Sequence, residues 1–317
     1  MSNSWLETYE GKGVRNGRKP TPLPALDEGP SGYLAGPALQ KAVNVALALE
    51  QPLLLTGKPG TGKTELAKSL AWELELPLFV FHTKTTSTAR DLLYRYDALR
   101  HFHASHFVKE QTPDARPYIE VDALGSAILC TRPEWRKPEL IDGYLPEEHR
   151  GKAPGRSVVL IDEIDKAPRD FPNDLLNEVE HLEFTIHETK DKFKARPDFR
   201  PILILTSNSE KSLPEAFLRR CLFHYIQPPG EADLKKIVKK RLGEESPLLD
   251  NAIRWFVQNR ESLGGKEPST GEFLQWVRVL RDAGIDVANL RDGQREILAV
   301  SYAALAKTEE DAGKLKP

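Results

Sequence analysis

The sequence contains little cysteine and no long apolar run. Among its 317 residues there are two cysteines, Cys130 and Cys221, and neither belongs to a C-x-x-C pair. Isolated cysteines provide no disulfide framework, so we expect a reduced, cytoplasmic protein. No stretch approaches the ~20 continuous apolar residues of a membrane span, and the first residues lack the charged and then apolar pattern of a signal peptide. We therefore expect a protein without a membrane span.

The sequence also lacks a charge excess of either sign. Its 45 Lys and Arg residues nearly balance its 47 Asp and Glu residues, and the formal net charge is −2. Domains that bind DNA or RNA usually carry a basic excess, so the composition disfavours a nucleic-acid partner, including the role of a nucleic-acid motor or clamp loader. The length suits two domains, and the apolar content of 39% suits a globular protein.

Short apolar runs alternate with helical stretches, which is the pattern of a parallel sheet covered on both faces. Beyond the Pro-Pro-Gly segment at 228–230, apolar positions recur at helical spacing in four segments. The sequence predicts an α/β fold, a five-stranded parallel sheet sandwiched by helices, followed by a small all-helical lid domain. The predicted domains are an irregular arm at 1–30, an α/β domain at 31–227 and the lid at 228–317. The predicted strands begin at Leu53 and continue at Leu78–Phe81, Ser157–Ile161, Pro201–Thr206 and Phe223–Ile226.

Residues 53–64 pass from an apolar strand into a glycine-rich loop that ends in Gly-Lys-Thr. This is the G-x-x-x-x-G-K-T pattern of a P-loop NTPase. In that loop backbone N–H groups surround phosphate oxygens, the lysine reaches the β- and γ-phosphates, and the threonine hydroxyl binds Mg²⁺. The positive N-terminal end of the following helix also attracts the anion. The predicted nucleotide-binding residues here are Gly57, Pro59, Gly60, Thr61, Gly62, Lys63, Thr64 and Glu65.

Two later strands end in polar residues that a triphosphate site needs. Asp162 and Glu163 follow the run Val-Val-Leu-Ile, and Asn208 follows another apolar run. In a parallel sheet such side chains lie at the carboxyl ends of the strands, where ligands bind. We predict that Asp162 binds Mg²⁺ together with Thr64 and also serves the nucleotide. Glu163 is the predicted general base for the attacking water, and Asn208 is predicted to hold the water or the γ-phosphate.

A short helical segment that starts at Leu213 closes with Arg219 and Arg220. An arginine finger offered to a neighbouring subunit's γ-phosphate would use such a planar, permanently charged group. The helix dipole alone also favours arginine at a helix C-terminus. From the residues alone, both interpretations stay open.

The interval between Lys63 and Asp162 is far longer than a crossover helix and one strand require, and the excess falls at about 90–154. Its start is rich in aromatic residues and histidines, which suits a pore-facing or partner-binding surface, a solvated insert, or a metal site built from the histidines. The basic segment 190–196 is interpreted as a turn before the strand that ends at Asn208, and it suits either a second pore-side loop or a solvated face. The crowded residues are Tyr94, Tyr96, His101, Phe102, His103, His106 and Phe107.

The order of P-loop, Asp-Glu strand, strand-end Asn, Arg-Arg and helical lid resembles that of AAA+ ATPases, and within them the MoxR family of the helix-2-insertion branch. The resemblance covers roughly residues 31–306 and assigns Asn208 to the first sensor. The stretches that carry it are Leu53–Thr64, Thr86–Leu93, Val158–Ala167, Leu203–Asn208 and Leu213–Cys221.

The resemblance implies further site residues. It makes Arg219 or Arg220 the finger that acts in trans, and it implies that Tyr33 and Leu34 contact the adenine. In one respect the chain departs from the family pattern. Gly271 stands near the place where the family often has a second sensor arginine, which puts the usual coupling between lid and nucleotide in doubt.

The resemblance also implies an activity and partners. It implies Mg²⁺-dependent ATP hydrolysis by a homo-oligomeric ring, usually a hexamer, with ATP between subunits. Such rings act as chaperone-like remodellers, often on a partner that carries a von Willebrand factor A domain. The alternative is an ATP-gated assembly switch with little turnover, which the missing second sensor arginine leaves open.

Overall fold

A computed structural model describes residues 22–26, 29–107, 114–133, 136–208, 212–262 and 267–315. Of the arm predicted at 1–30, residues 1–21 and 27–28 lie outside the described residues. The described residues form two compact units. The α/β unit comprises residues 35–58 and 63–226. The helical unit comprises the described residues up to 34, residues 59–62, and the described residues from 227 onward.

The chain forms nine strands and twelve helices within the described residues. The strands are β1 Leu53–Thr56, β2 Leu78–His82, β3 Tyr94–Tyr96, β4 Ile119–Val121, β5 Val158–Asp162, β6 Glu183–Thr185, β7 Lys192–Lys194, β8 Ile202–Ser207 and β9 Leu222–Tyr225. The helices are α1 Pro37–Leu49, α2 Lys63–Glu73, α3 Ala98–Phe107, α4 Ala123–Cys130, α5 Pro138–Tyr144, α6 Phe171–His181, α7 Glu215–Leu218, α8 Glu231–Leu242, α9 Pro247–Asn259, α10 Thr270–Ala283, α11 Gln294–Ser301 and α12 Glu309–Lys314.

The α/β unit is built on a five-stranded sheet in the order β2-β5-β8-β1-β9, and all of its strand pairs are parallel. Strand β5 is fully buried from Val158 to Ile161, as expected for a strand covered on both faces. Val159 and Ile161 belong to the core that α4 and α6 complete, and α2 also packs against β5. The predicted five-stranded parallel sheet sandwiched by helices is therefore confirmed.

The predicted insertion contains an antiparallel pair, β3 with β4, and the helices α3, α4 and α5. A second antiparallel pair joins β6 to β7. The basic segment 190–196 is therefore not simply a turn, because Lys192–Lys194 is a strand. In that strand Phe193 is fully buried while Lys192 and Lys194 are exposed.

The helical unit has its own apolar core. Trp276 is fully buried there, stacks on Tyr302 and donates a hydrogen bond to the Ser301 hydroxyl at 3.0 Å. The described part of the arm packs on this unit, because Leu26 joins its core and the Arg278 guanidinium donates to the carbonyl of residue 24 at 2.7 Å. After the four predicted helices comes the short α12. No helix in the described parts of the chain combines the length and hydropathy that crossing a bilayer requires.

Both cysteines are free thiols in the α/β unit. Burial raises the pKa of Cys130 to about 11 and that of Cys221 to about 12. Because the thiolate is the reactive form, these cysteines suit packing rather than redox chemistry.

Candidate functional site

The glycine-rich loop leads from β1 into α2, and its lysine is turned back onto the loop. The Lys63 ammonium donates to the carbonyl oxygens of Gly57 at 2.7 Å and Lys58 at 3.0 Å. Burial lowers the pKa of Lys63, while the charges of Asp165, Asp162 and Glu163 act to raise it. A buried cation held at the loop and surrounded by acidic groups is placed to meet the phosphates of a nucleotide.

Residues 59–62 of the loop belong to the helical unit and need glycine at two positions. Gly60 and Gly62 have φ of +74° and +88°, which side chains rarely adopt. A Cβ on Gly60 would lie 2.0 Å from the Ser269 Cβ, and one on Gly62 would lie 3.0 Å from the Tyr33 ring. Of the two predicted adenine contacts, Tyr33 thus lies against the loop, whereas the Leu34 side chain is exposed. The predicted contacts Pro59 and Thr61 lie in the same loop segment.

The predicted magnesium ligands are in direct contact. Thr64 Oγ1 donates to Asp162 Oδ1 at 3.0 Å. The same carboxylate oxygen accepts a hydrogen bond of 2.6 Å from Thr206 Oγ1, and His82 Nδ1 lies 3.6 Å from the other oxygen, Oδ2. Hydroxyl and carboxylate oxygens are the donors that Mg²⁺ prefers, so Thr64 and Asp162 fit this ion. The predicted nucleotide contact Glu65 lies in the first turn of α2 and pairs with Lys68 at 2.7 Å.

The predicted base and the predicted first sensor are hydrogen bonded to each other. Asn208 Nδ2 donates to Glu163 Oε1 at 3.2 Å, and Lys166 Nζ donates to Oε2 at 2.5 Å. The backbone of Asn208 is also held, because its N–H donates to the buried Asp165 carboxylate at 3.2 Å. A carboxylate and an amide in contact at the ends of β5 and β8 suit the positioning of a water molecule.

The two predicted finger arginines are held elsewhere. Arg219 pairs with Glu215 on the same turn of α7, and Arg220 Nε lies 3.7 Å from a carboxylate oxygen of Glu180. Their side chains are 76% and 53% exposed. The structure therefore brings Glu163 and Asn208 together with Asp162 but does not bring the arginines to them.

Sequence reasoning did not identify four residues that contact this site: His82, Asp165, Lys166 and Thr206. Lys166 stands three residues after Glu163 and ends the 3-10 turn that Glu163 caps, so a tight turn predicted after the strand could have indicated the pair. His82 and Thr206 contact Asp162 from neighbouring strands, so only the strand register shows their roles.

The aromatic and histidine-rich start of the insertion is divided between core and surface. Tyr94 is buried, while Phe102 is exposed. His101 Nδ1 lies 2.6 Å from the Tyr96 hydroxyl. Among the described residues no group of three or more His, Cys, Asp or Glu could hold a metal ion, and the His106 side chain lies outside what the structure describes.

Gly271, which stands near the place where the resemblance implies a second sensor arginine, lies at the start of α10. Gly271 is the second residue of this helix, whose N-cap is Ser269. Ser269 and Glu272 form a capping box, and Lys307 Nζ lies 2.8 Å from Glu272 Oε1. The helix start that contacts Gly60 is therefore capped by side-chain hydrogen bonds and an ion pair.

The loop, the paired carboxylates and the parallel sheet define a P-loop nucleotide-binding fold. The family model described as AAA domain (dynein-related subfamily) matches residues 52–221, which is more than half of the chain. The chain belongs to this family. Membership supports nucleotide binding and ATP hydrolysis in general.

Curated relatives match a short part of the chain. The ATP-dependent zinc metalloproteases FTSH 9 of Oryza sativa subsp. japonica and FTSH 11 of Arabidopsis thaliana are each 34% identical over 103 residues, which is 32% of this chain. The match spans 12% of the length of each relative.

Solved structures of RuvB from Thermotoga maritima are also similar. The Holliday junction branch migration motor has 15% identity and a TM-score of 0.46, with 89% of this chain and 72% of that chain covered. A mutant of the same protein has 16% identity and a TM-score of 0.48, with 92% and 76% covered.

Proposed function

We propose that the protein hydrolyses ATP with Mg²⁺ in a MoxR-like homo-oligomeric ring, usually a hexamer in that family. Turnover would remodel or activate a partner protein in the cytoplasm, one with a von Willebrand factor A domain being the leading candidate. The observation that carries the ATPase proposal is the direct hydrogen bonding of Glu163 with Asn208 beside the Thr64 and Asp162 pair. A base, a sensor and two oxygen ligands next to the P-loop are what in-line attack by water requires.

Each residue has a defined part in this proposal. Lys63 neutralises charge on the β- and γ-phosphates, and Thr64 with Asp162 would hold Mg²⁺, which stabilises the developing negative charge. Glu163 accepts the proton of the attacking water, which Asn208 orients. Tyr33 is the stronger candidate for the adenine contact.

The ring is supported by the two finger arginines. Arg219 and Arg220 are exposed and pair with Glu215 and Glu180, so their guanidinium groups are accessible to a neighbouring subunit. An arginine supplied in trans would complete the charge around the γ-phosphate. The ATPase rate per subunit should then rise steeply with protein concentration.

The first test removes the base and keeps its shape. Glu163→Gln should retain ATP binding and lower turnover by roughly 100-fold or more, because a positioned general base contributes about that factor. Phosphate release gives the rate, and a fluorescent ATP analogue gives the affinity. Normal turnover in this variant would contradict the assignment of Glu163.

A concentration series separates the ring from the switch. Tight ATP binding with negligible turnover at every concentration would favour the ATP-gated assembly switch. A working ring should also retain its partner on Glu163→Gln in the presence of ATP, and the captured proteins can be searched for a von Willebrand factor A domain.

A further inference from the structure

The Glu163 carboxylate accepts a hydrogen bond at each of its oxygens within the chain. Asn208 Nδ2 reaches Oε1 at 3.2 Å, and Lys166 Nζ reaches Oε2 at 2.5 Å. The Glu163 side chain nevertheless remains 37% exposed, so water has access to it. The bonding therefore restricts the carboxylate without burying it.

The main chain around this carboxylate is fixed. Glu163 adopts a left-handed conformation with φ of 56° and ψ of 50°, which is uncommon for a residue with a side chain. Its N–H donates to Thr206 Oγ1 at 2.8 Å, and the N–H of Asn208 donates to Asp165. Movement of the base must therefore come from its side chain and from the groups that hold that side chain.

Lys166 differs from the other groups that hold Glu163. It closes the short 3-10 turn Ile164–Lys166, for which Glu163 is the N-cap, and its side chain is 41% exposed. A long, exposed lysine side chain has several alternative positions. It can therefore release the carboxylate oxygen Oε2 by a change of side-chain conformation, whereas Asn208, the donor to Oε1, has its backbone held by the buried Asp165.

We propose that Lys166 is a restraint on Glu163, a positioning residue that holds the base in a resting position and must release Oε2 during turnover. The inference rests on the proposed ATPase function. An ammonium bonded to the carboxylate stabilises the negative charge that proton transfer removes, so Glu163 is a weaker base while Lys166 holds it. The γ-phosphate is a competing acceptor for such donors, so nucleotide binding would favour release.

The size of the effect follows from the exposure of the pair. Half-exposed ion pairs are weak, so the loss of this one should change the rate by about twofold to fivefold. The change should appear in kcat, since Lys166 restrains the base and not the nucleotide.

The test compares three variants. Lys166→Met should raise kcat about twofold to fivefold with unchanged KM for ATP and unchanged affinity for a fluorescent ATP analogue, while Lys166→Arg should stay near the wild-type rate. Lys235→Met is the control, because Lys235 has a similarly exposed side chain (43%) that pairs with Asp250 and Glu231 within the helical unit. A kcat that stays unchanged or falls in Lys166→Met overturns the proposal.

A second measurement is independent of hydrolysis. A double-mutant cycle of Lys166→Met and Glu163→Gln, followed by chemical unfolding without nucleotide or Mg²⁺, should give a favourable coupling between the two side chains. Additive effects overturn the restraint. Absence of turnover in the wild type would instead contradict the proposed function, and activity of Lys166→Met that survives Glu163→Gln would overturn the claim that Lys166 acts through Glu163.

Discussion

One threonine links the Asp162 carboxylate to the main chain of Glu163. Thr206 Oγ1 donates to Asp162 Oδ1 at 2.6 Å and accepts from the Glu163 N–H at 2.8 Å, and the residue is buried. Thr206→Val keeps the shape but leaves a buried acceptor and a buried donor without this partner, which costs about 1–3 kcal/mol. We expect urea unfolding to show a loss of that size in the free energy of unfolding. Phosphate release should show a kcat that is lower by up to roughly tenfold.

Two controls separate alignment from stability. Thr206→Ser should retain most of the activity because it keeps the hydroxyl. Thr131 is buried and bonds in the same way, since it donates to the Ile128 carbonyl at 2.7 Å and accepts from the Arg196 N–H at 3.0 Å. Thr131→Val should lose similar stability and keep kcat. Equal activity in Thr206→Val and Thr131→Val would contradict the positioning role of Thr206.

The contacts of Thr206 show which part of the site could not be predicted from the sequence. Asp162, Glu163 and Asn208 could be predicted because each follows an apolar run, and strand ends meet at one edge of a parallel sheet. The contact of Thr206 depends on the register that pairs Ile161 with Leu205, and register is a long-range property that no local pattern contains. The sequence therefore predicted the candidate site residues but not Thr206, which contacts two of them.

At the scale of elements, the 3-10 turn Glu147–His149 packs on strand β2 through a histidine. The His149 ring lies 5.0 Å from the Phe79 ring, and its Nδ1 is buried with no hydrogen-bond partner in the described residues. Burial lowers the pKa of His149, Lys152 lowers it further, and Glu148 acts to raise it. The folded state therefore favours the neutral ring.

The sign of the pH dependence follows. Above the ordinary histidine pKa of about 6.5, the ring is neutral in both states and the free energy of unfolding does not depend on it. As pH falls below that value towards the lowered pKa of the folded state, the unfolded state binds a proton first, so stability decreases. Urea unfolding should show that His149→Gln loses less stability than the wild type when the pH falls from about 7.5 to about 5.5, a range around that pKa. His103→Gln, which changes an exposed histidine, is the control. If the stability of His149→Gln depends on pH as steeply as that of the wild type or of His103→Gln, the prediction is wrong.

The elements also differ in how far sequence predicts them. The five sheet strands could be located because they are buried apolar runs such as β5, and the structure places their ends within one or two residues of the prediction. The strands β3, β4, β6 and β7 have three residues each, which is too short for an alternating pattern to stand out. In β7 the alternation of Lys192, Phe193 and Lys194 is present, but its charges favoured the interpretation as a turn.

At the scale of the whole molecule, one chain supplies most of the proposed hydrolytic site. The structure places the P-loop lysine near the Asp162 and Thr64 pair and Glu163, the proposed base. Membership of the AAA domain family supports ATP hydrolysis in general. The charge that remains to be supplied near the γ-phosphate is what Arg219 and Arg220 of another copy would provide. The site itself, as well as the resemblance, therefore supports the proposal that a second subunit completes it.

Mixing two inactive variants tests that argument. The Arg219→Ala/Arg220→Ala double variant should lose about 1,000-fold or more of its kcat, as expected for an arginine finger, and Glu163→Gln should be inactive for a different reason. In a mixed oligomer, a Glu163→Gln subunit can donate its arginines to a neighbour that keeps its base, so an equimolar mixture should recover a measurable fraction of the wild-type phosphate release. Arg291→Ala, an exposed arginine of the helical unit, should keep full activity alone. If mixed oligomers form and the mixture stays as inactive as its components, or if the double variant alone is active, the arginines do not act between subunits.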